Sequence, residues 1–163
     1  MRKFSQSGIR ICKVTNYIIK SFVECSSYRF LNETDRAMSY NKRSPLVCDR
    51  GLSGWYRFGG EAGNQMPESC VPKLRCGTHA PGWLNGSHPS VAVGAVRRKV
   101  CFHWGNGCCQ WSTYIEVRNC SGFYVYKLHR PPACTLRYCG NGAGSSPGRY
   151  THSYQVNWMW ALW

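Results

Sequence analysis

Cysteine is the residue type with most chemistry to offer in this 163-residue chain, at positions 12, 25, 48, 70, 76, 101, 108, 109, 120, 134 and 139. Thiols at this density either cross-link the chain or bind a metal. Structural zinc sites bring their ligands in close pairs, two to four residues apart. The nearest spacings here are five residues between Cys70 and Cys76, six between Cys101 and Cys108, four between Cys134 and Cys139, and the doublet Cys108-Cys109. No C-x-x-C pair occurs, and His79, His88, His103, His129 and His152 form no pair with the short ligand spacing. Disulfide formation is therefore the expected chemistry, with no metal and no cofactor.

Disulfides persist in oxidising compartments and are rare in the reduced cytosol, so an extracellular or cell-surface location is expected. Ten of the eleven cysteines fall between Cys25 and Cys139, an even number, which leaves Cys12 outside the framework. Ten cysteines admit on the order of a thousand pairings, and spacing alone does not choose among them. The doublet does carry one constraint. Bridged residues need Cα atoms about 4.4–6.8 Å apart with converging Cβ vectors, a geometry that strains neighbours joined by one trans peptide. Cys108 and Cys109 are each expected to bond outward, clamping two other segments to one turn.

Nucleophilic catalysis finds little to work with. "GSSPG" at 144–148 matches G-x-S-x-G in form, but a nucleophile elbow needs a strand entering and a helix leaving, and this match lies in a glycine-serine linker. Asp49, Glu61, Glu68 and His103 are the acid–base groups a small secreted hydrolase would use, although no spacing marks a pair. No catalytic residue is assigned, and the charged groups of "DRGLSGWYRFGGE" read as turn-makers and surface charges.

The charge is strongly positive: 21 Lys and Arg against 7 Asp and Glu, for a net +14. Such a surface attracts nucleic acid, anionic glycans or acidic headgroups with little selectivity, which keeps a basic intracellular nucleic-acid- or zinc-binding protein as the rival reading. The tight runs are only Lys42-Arg43 and Arg97-Arg98-Lys99, so a solvated basic surface is expected and no specific nucleic-acid partner. No apolar run is long enough to span a bilayer. The opening "MRKFSQSGIRICK" is positive, but Asn16 and Lys20 break the apolar run that a signal peptide requires. A fragment of a longer protein, or a misjudged start, reconciles this with the cysteines.

The elements that must position these residues are short. Residues 1–24 read as a poorly ordered N-terminal extension, 25–139 as one cysteine-rich domain, and 140–163 as a poorly ordered linker and tail. Asn32 is placed to cap a short helix, with Glu33 and Asp35 in its first turn. Trp55-Tyr56-Arg57-Phe58, between glycine-rich turns, reads as a strand. "APGWLNGSHPS" reads as a surface loop of tight turns. In "WSTYIEVR", Trp111, Thr113, Ile115 and Val117 alternate with Ser112, Tyr114, Glu116 and Arg118, the period-two pattern of a strand. "FYVYKL" returns after the turn "NCSG", so 111–128 is expected to be a hairpin ended by Pro131-Pro132, with "CTLRYC" a last short strand. The aromatics Trp55, Tyr56, Trp83, Trp104, Trp111, Tyr124 and Tyr126 could stack on sugar faces, but in a small domain they are expected to build the core. The fold class is a small, disulfide-rich single domain, mainly antiparallel β with at most one or two short helices.

"LSGWYRFGGEAGNQMPESCVPKLRC", "PGWLNGSHPS", "RKVCFHWGNGCCQW" and "FYVYKLHRPPACTLRYC" resemble the eight-to-ten-cysteine domain of the family that includes uromodulin, the pancreatic zymogen-granule membrane glycoprotein and the liver-specific zona-pellucida-domain protein. The resemblance runs from about Cys25 to Cys139. It implies a glycosylated, non-enzymatic extracellular module, set beside EGF-like and zona-pellucida modules in a larger secreted or membrane-attached protein. It also implies the bridges Cys25–Cys120, Cys48–Cys134, Cys70–Cys108, Cys76–Cys139 and Cys101–Cys109. In such relatives a glycan in the aromatic strand before the proline pair serves as a decoy for mannose-binding bacterial adhesins. Lys127 stands in place of that asparagine here, so the decoy site is missing. This sequence contains neither an EGF-like nor a polymerisation module, so filament assembly is not expected of it.

Three N-x-S/T sequons remain, at Asn32, Asn85 and Asn119. Asn85 is the first choice for glycosylation, since Trp83 can anchor the segment while Asn85-Gly86 projects at a turn. Asn119 is the weakest, because Cys120 lies inside its sequon, and Asn32 stands between them. The expected function is extracellular binding or display, presenting or contacting glycans, with extracellular proteins or glycans as partners.

Overall fold

The computed structural model describes residues 9–14, 17–41 and 45–143. Within the first 24 residues, β1 (Ile9–Val14) and β2 (Tyr17–Phe22) pair as an antiparallel hairpin. A single helical turn, α1 (Val23–Ser26), follows. The side chain of Cys12, the glycine-serine motif at 144–148 and the tail after 143 lie outside what is described. Among the described residues no helix is long and apolar enough to cross a membrane.

The body is one seven-stranded sheet, β3 (Arg29–Leu31), β4 (Ser53–Phe58), β5 (Ala80–Asn85), β6 (Val96–Trp104), β7 (Gly107–Asn119), β8 (Tyr124–His129) and β9 (Leu136–Tyr138). Its spatial order is β3-β4-β8-β7-β6-β5-β9. The centre is antiparallel, and the two edge pairs, β3–β4 and β5–β9, are parallel. The β7–β8 hairpin pairs Glu116 with Lys127 and Val117 with Tyr126. Its two-residue loop, Ser121-Gly122, has positive φ at both positions, the geometry that matches the twist of hairpin strands. Asn119 Oδ1 accepts the Ser121 N–H at 3.0 Å and holds the unfavourable left-handed serine in place.

Residues 80–85, expected as loop, form an inner strand. Pro81 faces β9 at a point where β6 pairing has not yet begun, since the first β5–β6 pair is Gly82 with Phe102. Its missing N–H therefore costs no bond towards β6. Gly82 is needed because the Phe102 ring packs against its Cα; a Cβ there would stand 2.6 Å from that ring. The expected helix capped by Asn32 is instead one 3-10 turn, Thr34–Arg36, preceded by Glu33 with no side-chain cap. The chain leaves this turn at once, because Ala37 is taken up in a parallel bridge with Gly140.

The inner face of the sheet buries Leu31, Tyr56, Phe58, Met66, Leu84, Val100, Phe102, Ile115, Val117, Tyr126, Leu128, Leu136 and Tyr138. Each such side chain contributes roughly 1.5–3 kcal/mol of transfer free energy. Contrary to the expectation that tryptophans fill the core, none of those described is buried: Trp104 is 38% and Trp111 42% exposed. Tyrosine takes their place because its hydroxyl finds a partner inside. Tyr138 donates to the His129 carbonyl at 2.9 Å, and Tyr126 accepts the Met66 N–H at 3.0 Å.

A second, polar centre ties the chain ends of the domain together. Arg36 forms a bidentate pair with Asp49 at 2.8 and 2.9 Å and donates to the Tyr138 carbonyl, while Asp49 accepts the Tyr138 N–H. Arg137 bonds Asp35 and the Cys76 carbonyl beside them. Residues 140–142 complete this end: Gly140 bridges Ala37, Asn141 N–H donates to Gln65, and Gly142 N–H donates to Ala62.

Candidate functional site

Five disulfides join Cys25–Cys120, Cys48–Cys134, Cys70–Cys108, Cys76–Cys139 and Cys101–Cys109. Their Cα separations, 4.6–5.7 Å, lie within the usual range. Consecutive residues of a strand point to opposite faces, so the doublet on β7 reaches both ways. Cys109 closes the β6–β7 hairpin onto Cys101, and Cys108 holds the loop that carries Cys70. The bridge Cys25–Cys120 fastens α1 to the tip of the β7–β8 hairpin. Near that tip Arg57 lies 3.9 Å from the Phe123 ring centroid and donates to the Tyr28 hydroxyl.

The one constellation with metal-like geometry among the described residues is Cys70, His103 and Cys108. Its two sulfurs are bonded to each other, which removes the thiolates that zinc requires. His103 Nδ1 instead lies 2.9 Å from the Val71 carbonyl and 3.4 Å from Cys70 Sγ. The acid–base groups named from sequence are dispersed into separate structural roles. Asp49 is buried under Arg36, Glu61 sits in the 60–62 turn, Glu68 bonds His88, and His103 faces the Val71 carbonyl.

Glu68, His88 and Tyr126 form a chain that sequence reasoning missed. The Glu68 carboxylate accepts both the backbone N–H of His88, at 2.7 Å, and its Nδ1–H. His88 Nε2 lies 2.7 Å from the Tyr126 hydroxyl, and the imidazole packs on Tyr124 with centroids 4.3 Å apart. Burial pushes the His88 pKa below its ordinary value despite Glu68 beside it, and burial pushes the Tyr126 phenol far up. The proton therefore stays on Tyr126, which donates to a neutral imidazole. These residues are 20 and 38 positions apart, so no local pattern announces them.

The sequon asparagines differ sharply. Asn85 ends β5, and with Gly86 and Ser87 it is exposed. Asn32 and Thr34 stand at the start of the 3-10 turn, with Asn32 exposed. Asn119 is half-buried, and both ends of its amide are occupied: Nδ2 donates to the Pro89 carbonyl at 3.1 Å and Oδ1 accepts from Ser121.

The outer face of the sheet carries the remaining functional groups. Lys127 pairs with Trp55 on one side and Glu116 on the other, and Glu116 pairs with Arg97, so Trp55, Lys127, Glu116 and Arg97 form one row across four strands. Lys127 Nζ bonds Glu116 at 2.9 Å, and Arg97 lies 4.1 Å above the Tyr114 ring centroid.

Comparison with known proteins places this architecture. The family model of the uromodulin-like eight-cysteine domain matches residues 56–140. Pancreatic secretory granule membrane major glycoprotein GP2 of Canis lupus familiaris is 48% identical over 121 residues, which cover 74% of this chain and 24% of that protein. Uromodulin of Mus musculus is 53% identical over 116 residues, and uromodulin of Rattus norvegicus 52% over 116, each covering 71% of this chain and 18% of the relative. The chain thus spans no more than a quarter of the length of these relatives. The family match begins within β4, ends just past β9 and takes in eight of the ten bridged cysteines. The chain belongs to the uromodulin-like eight-cysteine domain family of extracellular, disulfide-stabilised glycoprotein modules.

Proposed function

We propose that this chain is a non-enzymatic binding and display module of a larger secreted or membrane-attached glycoprotein, and that it presents N-linked glycans at Asn85 and Asn32. The observation that carries the reading is the position of Asn85. It stands exposed at the end of β5, paired with Lys99 of β6 on a strand whose first half also pairs with β9, and Gly86 at φ 129 takes a left-handed backbone immediately after it. A sugar there projects from a rigid base without displacing a contact. A sugar on Asn119 would intrude on the bond to Pro89. Lys127 occupies the middle of β8, where the resemblance implies a glycan in other members of the family, so display moves from the middle of β8 to the exposed end of β5.

The test is expression of the chain behind a secretory leader in cultured mammalian cells, followed by endoglycosidase treatment and peptide mass spectrometry. Glycan on Asn85 and Asn32, lost singly in Asn85→Gln and Asn32→Gln, supports the proposal. A secreted, folded protein without glycan at either position overturns it.

A further inference from the structure

The outer face of the sheet is not covered evenly. At one end the last residue of β2 and the turn after it lie across it: Phe22 packs under Arg118 with 3.9 Å to its ring centroid, Glu24 pairs with the same guanidinium, and the Cys25–Cys120 bridge fixes both. Beyond that cover the face opens into a groove of about 590 Å³, a volume in the range of ligand sites. Its chemistry is set by Arg97, Tyr114, Glu116, Lys127 and His129. Register adds Lys99, which pairs with Tyr114 and shares the Arg97 side of β6. Three permanent cations and a histidine thus face one carboxylate.

We propose that this groove binds an acidic saccharide chain, with anionic groups on successive sugars reaching Arg97 and Lys127 and a ring edge resting on Tyr114. The assignment rests on the extracellular reading of the module for the source of its ligand. Arg97 and Lys127 are two strands apart, about 10 Å at the usual inter-strand spacing, too far for one carboxylate or sulfate to bridge. A polyanion suits that spacing. Tyr114, 50% exposed, holds the Arg97 guanidinium over its ring, a contact that leaves the N–H edges of arginine free to donate to an anion. The Lys127–Glu116 pair is solvent-exposed on both sides, and such pairs exchange partners at little cost. His129 is already engaged, its Nε2 3.0 Å from the Tyr114 carbonyl, so it positions that strand and is not required to bind charge.

The experiment measures binding of a heparin hexasaccharide to the purified, disulfide-intact protein by calorimetry at two salt concentrations. It is run on the secreted form and again after enzymatic removal of N-glycans, so that failure of the display reading leaves this test standing. Binding that weakens with salt, and roughly tenfold or more further in Arg97→Gln/Lys127→Gln through loss of two charge-assisted contacts, supports the proposal. The control Arg50→Gln/Lys73→Gln, which removes equal charge elsewhere, is expected to change affinity by less than about threefold. A hyaluronan hexasaccharide distinguishes carboxylate-bearing from sulfated chains as the source; preference for either over neutral dextran is supporting. Equal loss in both double variants, no binding, or equally tight binding of a single-stranded oligonucleotide overturns it.

Discussion

His88 Nε2 sits 2.7 Å from the Tyr126 hydroxyl, which accepts the Met66 N–H in turn. A protonated His88 would point an N–H at a hydroxyl oxygen already in use. The depressed His88 pKa, caused first by burial and opposed by Glu68, means the unfolded chain takes up this proton more readily than the folded one. The stabilising contribution is complete above the unfolded value of about 6.5 and falls away as pH drops below it. The melting temperature is expected to decline from pH 7 towards pH 5, and His88→Gln to flatten that decline. A variant that keeps the wild-type slope contradicts the assignment. Glu68, whose pKa is lowered chiefly by the His88 N–H, adds a separate loss at more acid pH.

Asp49 is a structural anion. Both its oxygens face Arg36, and one also accepts the Tyr138 N–H. Asp49→Asn leaves the buried Arg36 with only the half-exposed Glu33, 3.1 Å from its Nε, as a counter-charge, and is expected to cost roughly 3–5 kcal/mol in urea denaturation. A change well below that range, within the scatter of ordinary surface substitutions, would free this carboxylate for another role.

Much of the sheet was legible from alternation. The period-two run from Trp111 to Arg118 announced a hairpin whose return strand is 124–129, and Ile115 and Val117 are buried as that pattern requires. Composition identified cross-linking, but spacing did not choose the partners; the pairing entered with the resemblance. Residues 80–85 were illegible because Pro81, Gly82 and the Asn85-Gly86 step are turn residues locally. Their conformation is decided by β6 and β9, through pairs such as Asn85–Lys99 and Ala80–Leu136 that are 14 and 56 residues apart in the chain. The tryptophans misled for a related reason. A core built from one sheet face suits tyrosines that can bond inward, while Trp83 spans from the Val71–Cys76–Cys139 cluster to the Cys108 carbonyl at 2.9 Å.

Packing against the body continues past the last bridged cysteine, through residues 140–142. A Cβ on Gly140 would stand 1.9 Å from the Ala62 carbonyl, so Gly140→Ala must push the 60–62 turn away. An expected loss of roughly 1–3 kcal/mol, read by thermal denaturation, checks that these residues belong to the packed body. An unchanged melting temperature would place them outside it.

The covalent framework is the feature on which the other readings depend, since each bridge in such a domain contributes about 2–4 kcal/mol. Non-reducing proteolysis with mass spectrometry, using fragmentation that separates Cys108 from Cys109, tests it most directly. Peptides linked as Cys25–Cys120, Cys48–Cys134, Cys70–Cys108, Cys76–Cys139 and Cys101–Cys109 are expected in the secreted protein. Free thiols at these ten positions, or stoichiometric zinc released by alkylation, would contradict it.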